Sequence, residues 1–177
     1  MPARFARKRD GTFAIRLVAE EREILRSLPA QLRGVLASGD TDDPGLRRLY
    51  PPAFLEDEEA STAFGELTHG DLERQRNDSA DLMASSIDSS TLTEEELSAW
   101  LAVINDTRLV LGSRLGLTEE TKREDLEGDA RAAFMLYRYL TDLTMQIVKA
   151  LSGVSESGLF KDVMRRQWKE QREQGGG

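Results

Sequence analysis

The sequence predicts a mainly α-helical fold in which an N-terminal β-hairpin packs on a bundle of four to six helices. Three observations carry this prediction. A strong turn signal joins two short segments near the N-terminus, apolar residues recur at helical spacing over most of the remaining chain, and turn-forming residues separate the helical segments. The 177 residues fit one domain and suffice for a substantial core.

The hairpin is predicted over residues 4–17, with Asp10-Gly11 at its turn. A two-residue loop would place Phe5 on the face opposite Ile15. A three-residue loop with Gly11 in the left-handed conformation pairs those two residues instead, and it pairs Arg7 with Phe13. We favour this loop because it gathers the apolar residues of both strands on one face, namely Phe5, Phe13, Ile15 and Leu17.

The first helical segment begins at about Ala19 and stops near Gly39, with Pro29 expected to kink it or to start a second helix. A turn-rich connector follows at residues 39–45, and Pro51-Pro52 interrupts the chain again. Further on, Thr68 and Asp71 have the spacing of a capping box, which predicts that the next helix begins there.

The most apolar helix is predicted to begin at a second capping box, formed by Thr93 and Glu96, and to be terminated by Gly112 or Gly116. Thr118, followed by two glutamates, is expected to open the last helix. The apolar face of that helix is formed by Leu136, Tyr137, Leu140, Leu143, Ile147 and Leu151.

The composition changes after Leu151, so we place a single helical domain at residues 1–151 and a C-terminal extension at residues 152–177. The extension has apolar residues spaced for one face of a helix and ends in three glycines, which predicts a flexible end. Its candidates for docking on the body or on a partner are Phe160, Met164 and Trp168.

The charge and composition limit the function classes. A net charge of −8 gives no general attraction for nucleic acid. The absence of cysteine excludes disulfides, thiolate metal sites and thiol switches within this chain. The N-terminus does not resemble a secretory signal, and no stretch approaches the ~20 apolar residues of a membrane span, so we expect a cytoplasmic protein that does not enter the membrane.

No signature of catalysis is present. His69 is the only histidine, and no serine lies in a nucleophile elbow. The sequence has neither a phosphate-binding loop nor a dinucleotide fingerprint, and its acidic clusters lack the spacing of a calcium loop. A helix-capping or loop role for His69 is therefore favoured, and we predict a protein that is not an enzyme and needs no metal and no cofactor.

Two groups of residues are candidate functional sites. Asn105, Asp106, Arg108 and Arg114 place an amide, a carboxylate and two guanidinium groups at a helix end among apolar residues. Such groups, if buried, must pair with one another. A polar clamp that also engages Arg16, Glu20 or Glu21 is the favoured interpretation, and a ligand-binding site is the alternative.

The second group is a basic edge on the hairpin, formed by Arg4, Arg7, Lys8 and Arg9. Charged edge strands commonly prevent edge-to-edge aggregation, which is the favoured interpretation. Contact with nucleic acid or with an acidic partner is the alternative.

Several sequence blocks together resemble an actinobacterial family, the domain of unknown function 2017. The N-terminal blocks are Arg9-Asp10-Gly11-Thr12-Phe13, Arg16-Leu17, Glu21-Arg22, Leu28-Pro29-x-Gln31-Leu32-Arg33 and Asp42-Asp43-Pro44-x-Leu46-Arg47-Arg48-Leu49-Tyr50-Pro51-Pro52-Ala53. The later blocks are Trp100-Leu101-x-x-Ile104-Asn105-Asp106-x-Arg108-Leu109-x-Leu111-Gly112-x-Arg114-Leu115 and Tyr137-x-x-Leu140-Thr141. The resemblance covers roughly residues 3–151.

The resemblance implies a regulator of transcription under oxidative stress that acts through a protein partner such as a sigma factor. Family members with this role are thought to sense through a cysteine pair, which this chain lacks. The sensing mechanism therefore does not carry over. The family's gene neighbourhood gives a second hypothesis, an adaptor of Clp-type proteolysis, and a small-ligand-binding protein is a third. A homodimer and direct contact with DNA are left open.

Overall fold

The computed structural model of the protein describes residues 3–53 and 56–153, which form five α-helices and a three-stranded antiparallel sheet. A hairpin packed on a helical bundle is therefore confirmed. The strands are β1 (Phe5–Arg7), β2 (Phe13–Ile15) and β3 (Thr91–Leu92). The helices are α1 (Ala19–Ser38), α2 (Pro44–Leu49), α3 (Glu58–Ser86), α4 (Glu94–Arg114) and α5 (Gly128–Ser152), with a 3₁₀ turn at Arg123–Asp125. Phe160, Met164 and Trp168 lie outside the described residues.

The hairpin has the predicted register, in which Phe5 pairs with Ile15 and Arg7 with Phe13. Gly11 has a φ of 85°, the left-handed conformation that the three-residue loop requires. The sequence did not predict β3, whose Leu92 pairs with Phe13 at the other edge of β2. A two-residue strand is too short to show an alternating pattern.

The helix α1 runs without a break from Ala19 to Ser38, so the expected second helix at Pro29 is wrong. Pro29 is buried inside α1. Proline cannot donate a backbone hydrogen bond to the carbonyl one turn earlier, yet the helix continues because Leu25, Leu28 and Leu32 are buried on the same face. The helix ends at Gly39, which has a φ of 59°.

The helix α3 begins ten residues before the predicted start, because Asp57 caps it through a hydrogen bond of 2.8 Å from the backbone N–H of Ala60. The predicted start at Thr68 is wrong. Thr68 lies inside the helix, and its hydroxyl donates to the carbonyl of Phe64. Asp57 with Glu58 and Glu59 provides an N-cap and an acidic first turn, the arrangement that favours helix initiation.

The capping box that opens α4 is confirmed: Thr93 Oγ1 accepts from the N–H of Glu96, and a Glu96 carboxylate oxygen accepts from the N–H of Thr93. The helix ends just before Gly116, whereas Gly112 stays helical against the ring of Tyr137. The predicted helix start at Thr118 is wrong, because α5 begins at Gly128. Thr118 instead hydrogen-bonds to the side chain of Thr121 in a local turn.

The core lies between the sheet and the helices and is centred on Trp100. Its indole Nε1 donates to Ser86 Oγ at 2.9 Å, and the ring of Phe5 meets it edge-on at 6.5 Å between centroids. The other fully buried large side chains are Phe13, Leu25, Leu28, Leu32, Met83, Leu92, Leu97, Ile104, Leu140, Leu143 and Ile147. Over the described residues, no helix combines the length and the apolar character that a membrane span requires.

Candidate functional site

A buried ion pair links α3 to α4 and also holds the segment after α2. Arg76 Nε donates to Asp106 Oδ2 at 2.9 Å, and Arg76 Nη2 donates to the carbonyl of Leu49 at 2.8 Å. The guanidinium lies over the ring of Tyr50, 5.0 Å from its centroid. The Arg76 and Asp106 side chains expose only 17% and 14% of their surface. Arg76 therefore fixes the position of Tyr50-Pro51-Pro52 on the bundle.

Burial changes the titration of this cluster. The pKa of Asp106 is raised above its ordinary value because burial disfavours the carboxylate, and the charge and hydrogen bond of Arg76 only partly oppose that effect. Burial also raises the pKa of the Tyr50 hydroxyl. The neutral phenol of Tyr50 and the carboxylate of Asp106, which is paired with Arg76, are thus largely enclosed polar groups that support the segment after α2.

A second pair fixes the start of α2 against the end of α4. Arg114 donates to both carboxylate oxygens of Asp43, at 3.1 and 2.6 Å, and this hydrogen bonding is the main cause of the lowered pKa of Asp43. Asp43 also caps α2 by accepting from the N–H of Gly45. A Cβ at Gly45 would lie 2.8 Å from Val110 Cγ1, so only glycine allows α2 and α4 to approach this closely.

The third candidate pair lies within α4. Arg108 Nη2 donates to Asn105 Oδ1 at 2.8 Å, and the guanidinium lies 6.0 Å from the centroid of the Tyr137 ring on α5. Its buried Nε has no hydrogen-bond partner among the described residues. Asn105, Asp106, Arg108 and Arg114 therefore belong to three separate contacts and do not form one site.

The expected link from these residues to Arg16, Glu20 or Glu21 is wrong. Arg16 is exposed on the hairpin, and its backbone N–H donates to the carbonyl of Arg4. Glu21 pairs with Arg4 instead. The partners of Asp106 and Arg114 are Arg76 and Asp43, which the packing of α3 and α2 against α4 brings close. The sequence does not distinguish Arg76 from the other arginines of a polar helix.

The basic edge of the hairpin is largely paired with carboxylates. Arg4 binds Glu21 at 2.7 Å and Asp142 at 3.2 Å, which ties β1 to α1 and α5. Arg7 lies 3.6 Å from Glu94. Lys8 pairs with Asp10 within the turn, and Arg9 is exposed. Most of the positive charge that stands out in the sequence therefore has a counterion within the fold.

An open apolar region lies where the segment after α2 meets the first half of α3. A groove of about 490 Å³, here called the α2–α3 groove, separates them. It is lined by Tyr50, Pro51, Pro52, Ala53, Ser61, Thr62, Phe64, Gly65, Thr68, His69 and Leu72. The ring of His69 lies against that of Tyr50, with 4.2 Å between the centroids. His69, which the sequence placed in a capping or loop role, thus contributes to the wall of the groove from within α3.

An acidic concavity adjoins this groove. Its lining residues are Glu58, Glu59, Thr62, Ala63 and Glu66, and Thr62 lines both depressions. Leu67 lies one helical turn after Ala63 and exposes 81% of its surface. Leu67 lines neither depression and only borders the concavity, so the groove and the concavity alone are called the α2–α3 surface. Sequence reasoning missed it because α3 was predicted to begin after these residues.

Two other features bear on ligand binding. A smaller cavity of about 280 Å³ lies between α1 and α4. It is lined by Gln31, Leu32, Gly34, Val35, Thr107, Val110, Leu111 and Arg114. Within residues 3–53 and 56–153, no group of three or more His, Asp or Glu side chains is arranged to hold a metal ion.

Comparison with known proteins gives one result. The family described as domain of unknown function DUF2017 matches residues 2–151. No curated protein and no solved structure matches the chain. Tyr50-Pro51-Pro52, Asp106 and Arg114, which form or support the α2–α3 surface, all fall within the matched range.

Proposed function

The chain belongs to the DUF2017 family, and from that premise we propose that it is a non-enzymatic regulatory protein that binds a protein partner of the transcription machinery during the stress response. The resemblance to actinobacterial members with such a role motivates the transcription and stress elements of this proposal. The α2–α3 surface is the observation that supports binding to a protein.

Three properties of this surface favour a protein partner. Its apolar side chains are accessible, since Phe64 and Leu72 expose 49% and 37% of their surface. They lie around a groove that can accept an inserted side chain. The wall formed by Tyr50 is held in place by Arg76, so binding need not order it first.

Regulation in this protein would proceed without its own thiols, because the sequence contains no cysteine. We propose that a stress signal reaches the protein through its partner or through its cellular concentration. The partner is expected to be a sigma factor or another transcription component, and the location is expected to be cytoplasmic.

The test is affinity purification of the full-length protein from its native cells, with and without oxidant, together with a transcriptome of the deletion strain. We expect recovery of a transcription component and altered expression of stress genes. An unchanged transcriptome with no transcription component recovered would contradict the proposal.

The alternatives make different predictions. An adaptor of Clp-type proteolysis would bind the protease or its adaptor directly, which purified components can test. A small-ligand-binding protein that uses Asp106 or Arg114 has less support, because both side chains are engaged in ion pairs. Direct DNA binding through the basic edge also has less support, because Arg4 and Arg7 face carboxylates. It would require an affinity that falls steeply with salt.

A further inference from the structure

We propose that the α2–α3 surface binds a basic amphipathic segment of the partner, one that inserts a large apolar side chain into the groove and places lysine or arginine over the acidic concavity. This inference rests on the proposed function and names the chemistry of the partner at that site. The argument comes from the unpaired charge and the exposed apolar side chains that lie together on α3.

The carboxylates of the concavity are not paired with an arginine, as is true of most carboxylates of the described residues, and they are distinguished by their position beside an apolar groove. Glu58, Glu59 and Glu66 form no ion pair with any residue in the described ranges 3–53 and 56–153. By contrast, Asp43, Asp88 and Asp106 each bind an arginine from another helix. The concavity therefore has negative charge without a counterion among the described residues.

The helix dipole accounts for only part of this charge. Glu58 and Glu59 lie in the first turn of α3, where carboxylates stabilise the helix N-terminus. Glu66 lies about two turns further on, where the dipole effect is negligible, and yet it lines the same concavity. Its position is therefore not explained by capping.

The apolar and acidic parts are close enough to contact one ligand segment. Thr62 lines both depressions, so the groove and the concavity share a border on α3. A helical segment presents apolar side chains three and four residues apart with charged residues between them, which suits a groove bordered by charge. A positively charged partner segment would also associate faster with this protein, whose net charge is −8.

The sign of the charge argues against two other occupants. A phosphate backbone would meet the carboxylates of Glu58, Glu59 and Glu66 and be repelled. A second copy related by two-fold symmetry would present the same surface, placing acidic side chains near acidic side chains. A basic protein segment avoids both conflicts.

The experiment measures binding of a fluorescent synthetic helix of leucine and lysine, with leucines three and four residues apart, to the full-length protein. A matched peptide with glutamate in place of lysine is the control ligand. We expect the lysine peptide to bind, its affinity to fall with salt, and its amide shift changes in NMR spectra to fall on residues 58–72. Equal binding of the two peptides, or shift changes elsewhere, would overturn the proposal.

Matched variants locate the binding. We expect Leu72→Ser in the groove to weaken binding of the lysine peptide about tenfold and Glu59→Gln with Glu66→Gln to weaken it roughly threefold. Met145→Ser on α5 and Glu119→Gln with Glu120→Gln are the controls, since those side chains are exposed outside the α2–α3 surface. They should leave the affinity unchanged, and an equal loss in the controls would overturn the assignment.

Two further outcomes would assign the surface to another occupant. Tighter peptide binding after removal of residues 154–177 would indicate that the chain's own extension occupies it. A dimer in solution that Leu72→Ser converts to a monomer would indicate a second copy. A transcription component that binds wild type and Leu72→Ser equally would refute this inference but leave the proposed function standing.

Discussion

The hairpin end and the α2–α3 end of the bundle use charge in opposite ways. At the hairpin end, Arg4 and Arg7 face carboxylates of α1, α5 and α4, and the aromatic ring of Phe13 is fully buried. At the other end, Glu66 has no ion pair among the described residues, and the adjacent Leu67 is exposed. The conspicuous basic run thus serves largely to fix the fold, whereas the acidic first half of α3 remains available for a partner.

The difference teaches that local charge density in a sequence does not by itself indicate a binding surface. A partly buried charged side chain that the fold pairs with a counterion is less available to a ligand than an unpaired one. Arg4 illustrates this point, because three elements meet at its guanidinium. The predictions that follow test whether the hairpin end is structural and whether the α2–α3 surface is dispensable for folding.

The largest effect is expected at the core beneath the hairpin. Trp100→Ala removes a fully buried ring and leaves the Ser86 hydroxyl without its indole donor, so we expect the free energy of unfolding to fall by about 3–5 kcal/mol. Urea denaturation measures this. Ser86→Ala is the control and should cost about 1 kcal/mol. A loss below that value for Trp100→Ala would contradict the central position of the ring.

Arg76→Met tests the support beneath the α2–α3 groove. The change leaves the Asp106 carboxylate buried without its partner, and we expect a loss of about 3 kcal/mol in the free energy of unfolding. The amide hydrogens of residues 46–50 and 53 should also exchange faster, because Leu49 and Tyr50 lose contacts.

Two controls separate the ion pair from general damage to α3. Arg74→Met removes an exposed arginine that pairs with Asp71, and it should cost less than about 0.5 kcal/mol. The double variant Arg76→Met with Asp106→Leu should recover part of the loss, since no carboxylate remains buried. Unchanged exchange at residues 46–50 and 53 in Arg76→Met would show that Arg76 does not hold that segment.

The two carboxylates that support this end are expected to titrate in opposite directions. Burial raises the pKa of Asp106, so its ionised form lowers stability at neutral pH, and this cost is relieved as the pH falls through the raised pKa. Arg114 lowers the pKa of Asp43 from 3.8, so its stabilisation is present above that value and is lost as the pH falls through the lower, folded pKa.

Carboxyl-carbon NMR tests this order directly. As the pH falls, Asp106 should take up its proton before Asp43 does. Arg76→Met should raise the pKa of Asp106 further, and Arg114→Met should raise that of Asp43 toward its ordinary value. Protonation of Asp43 before Asp106 would mean that burial does not dominate the pKa of Asp106.

The sequence predicted those parts of the fold that have local signals. Gly11 in the hairpin turn indicated the register of the two strands, and the capping box of Thr93 and Glu96 indicated the start of α4. The start of α3 was misplaced because Thr68 and Asp71 copy the capping spacing, whereas the true cap, Asp57, lies in an acidic run. Capping spacing alone does not distinguish a helix start from a helix interior.

The candidate site was less accessible to sequence reasoning because it depends on contacts between distant elements. Asp106 and Arg114 were identified as candidate clamp residues, but their partners Arg76 and Asp43 are 30 and 71 residues away. The α2–α3 groove needs Tyr50 and Leu72 on the same surface, which follows only once α2 and α3 are packed against α4. Hydrophobic periodicity predicts which face of a helix is buried, but it does not predict which element packs against that face.

The smallest effect on stability is expected at an exposed leucine that borders the proposed binding surface. Leu67→Ala removes a side chain that exposes 81% of its surface, so we expect a change within about 0.5 kcal/mol in the free energy of unfolding. Leu97→Ala is the matched control at a fully buried position and should cost about 2–5 kcal/mol. A loss above 1 kcal/mol for Leu67→Ala would mean that Leu67 is covered in the folded protein in solution. A negligible loss, together with weaker binding of the lysine peptide, would mean that Leu67 contributes to recognition and not to folding.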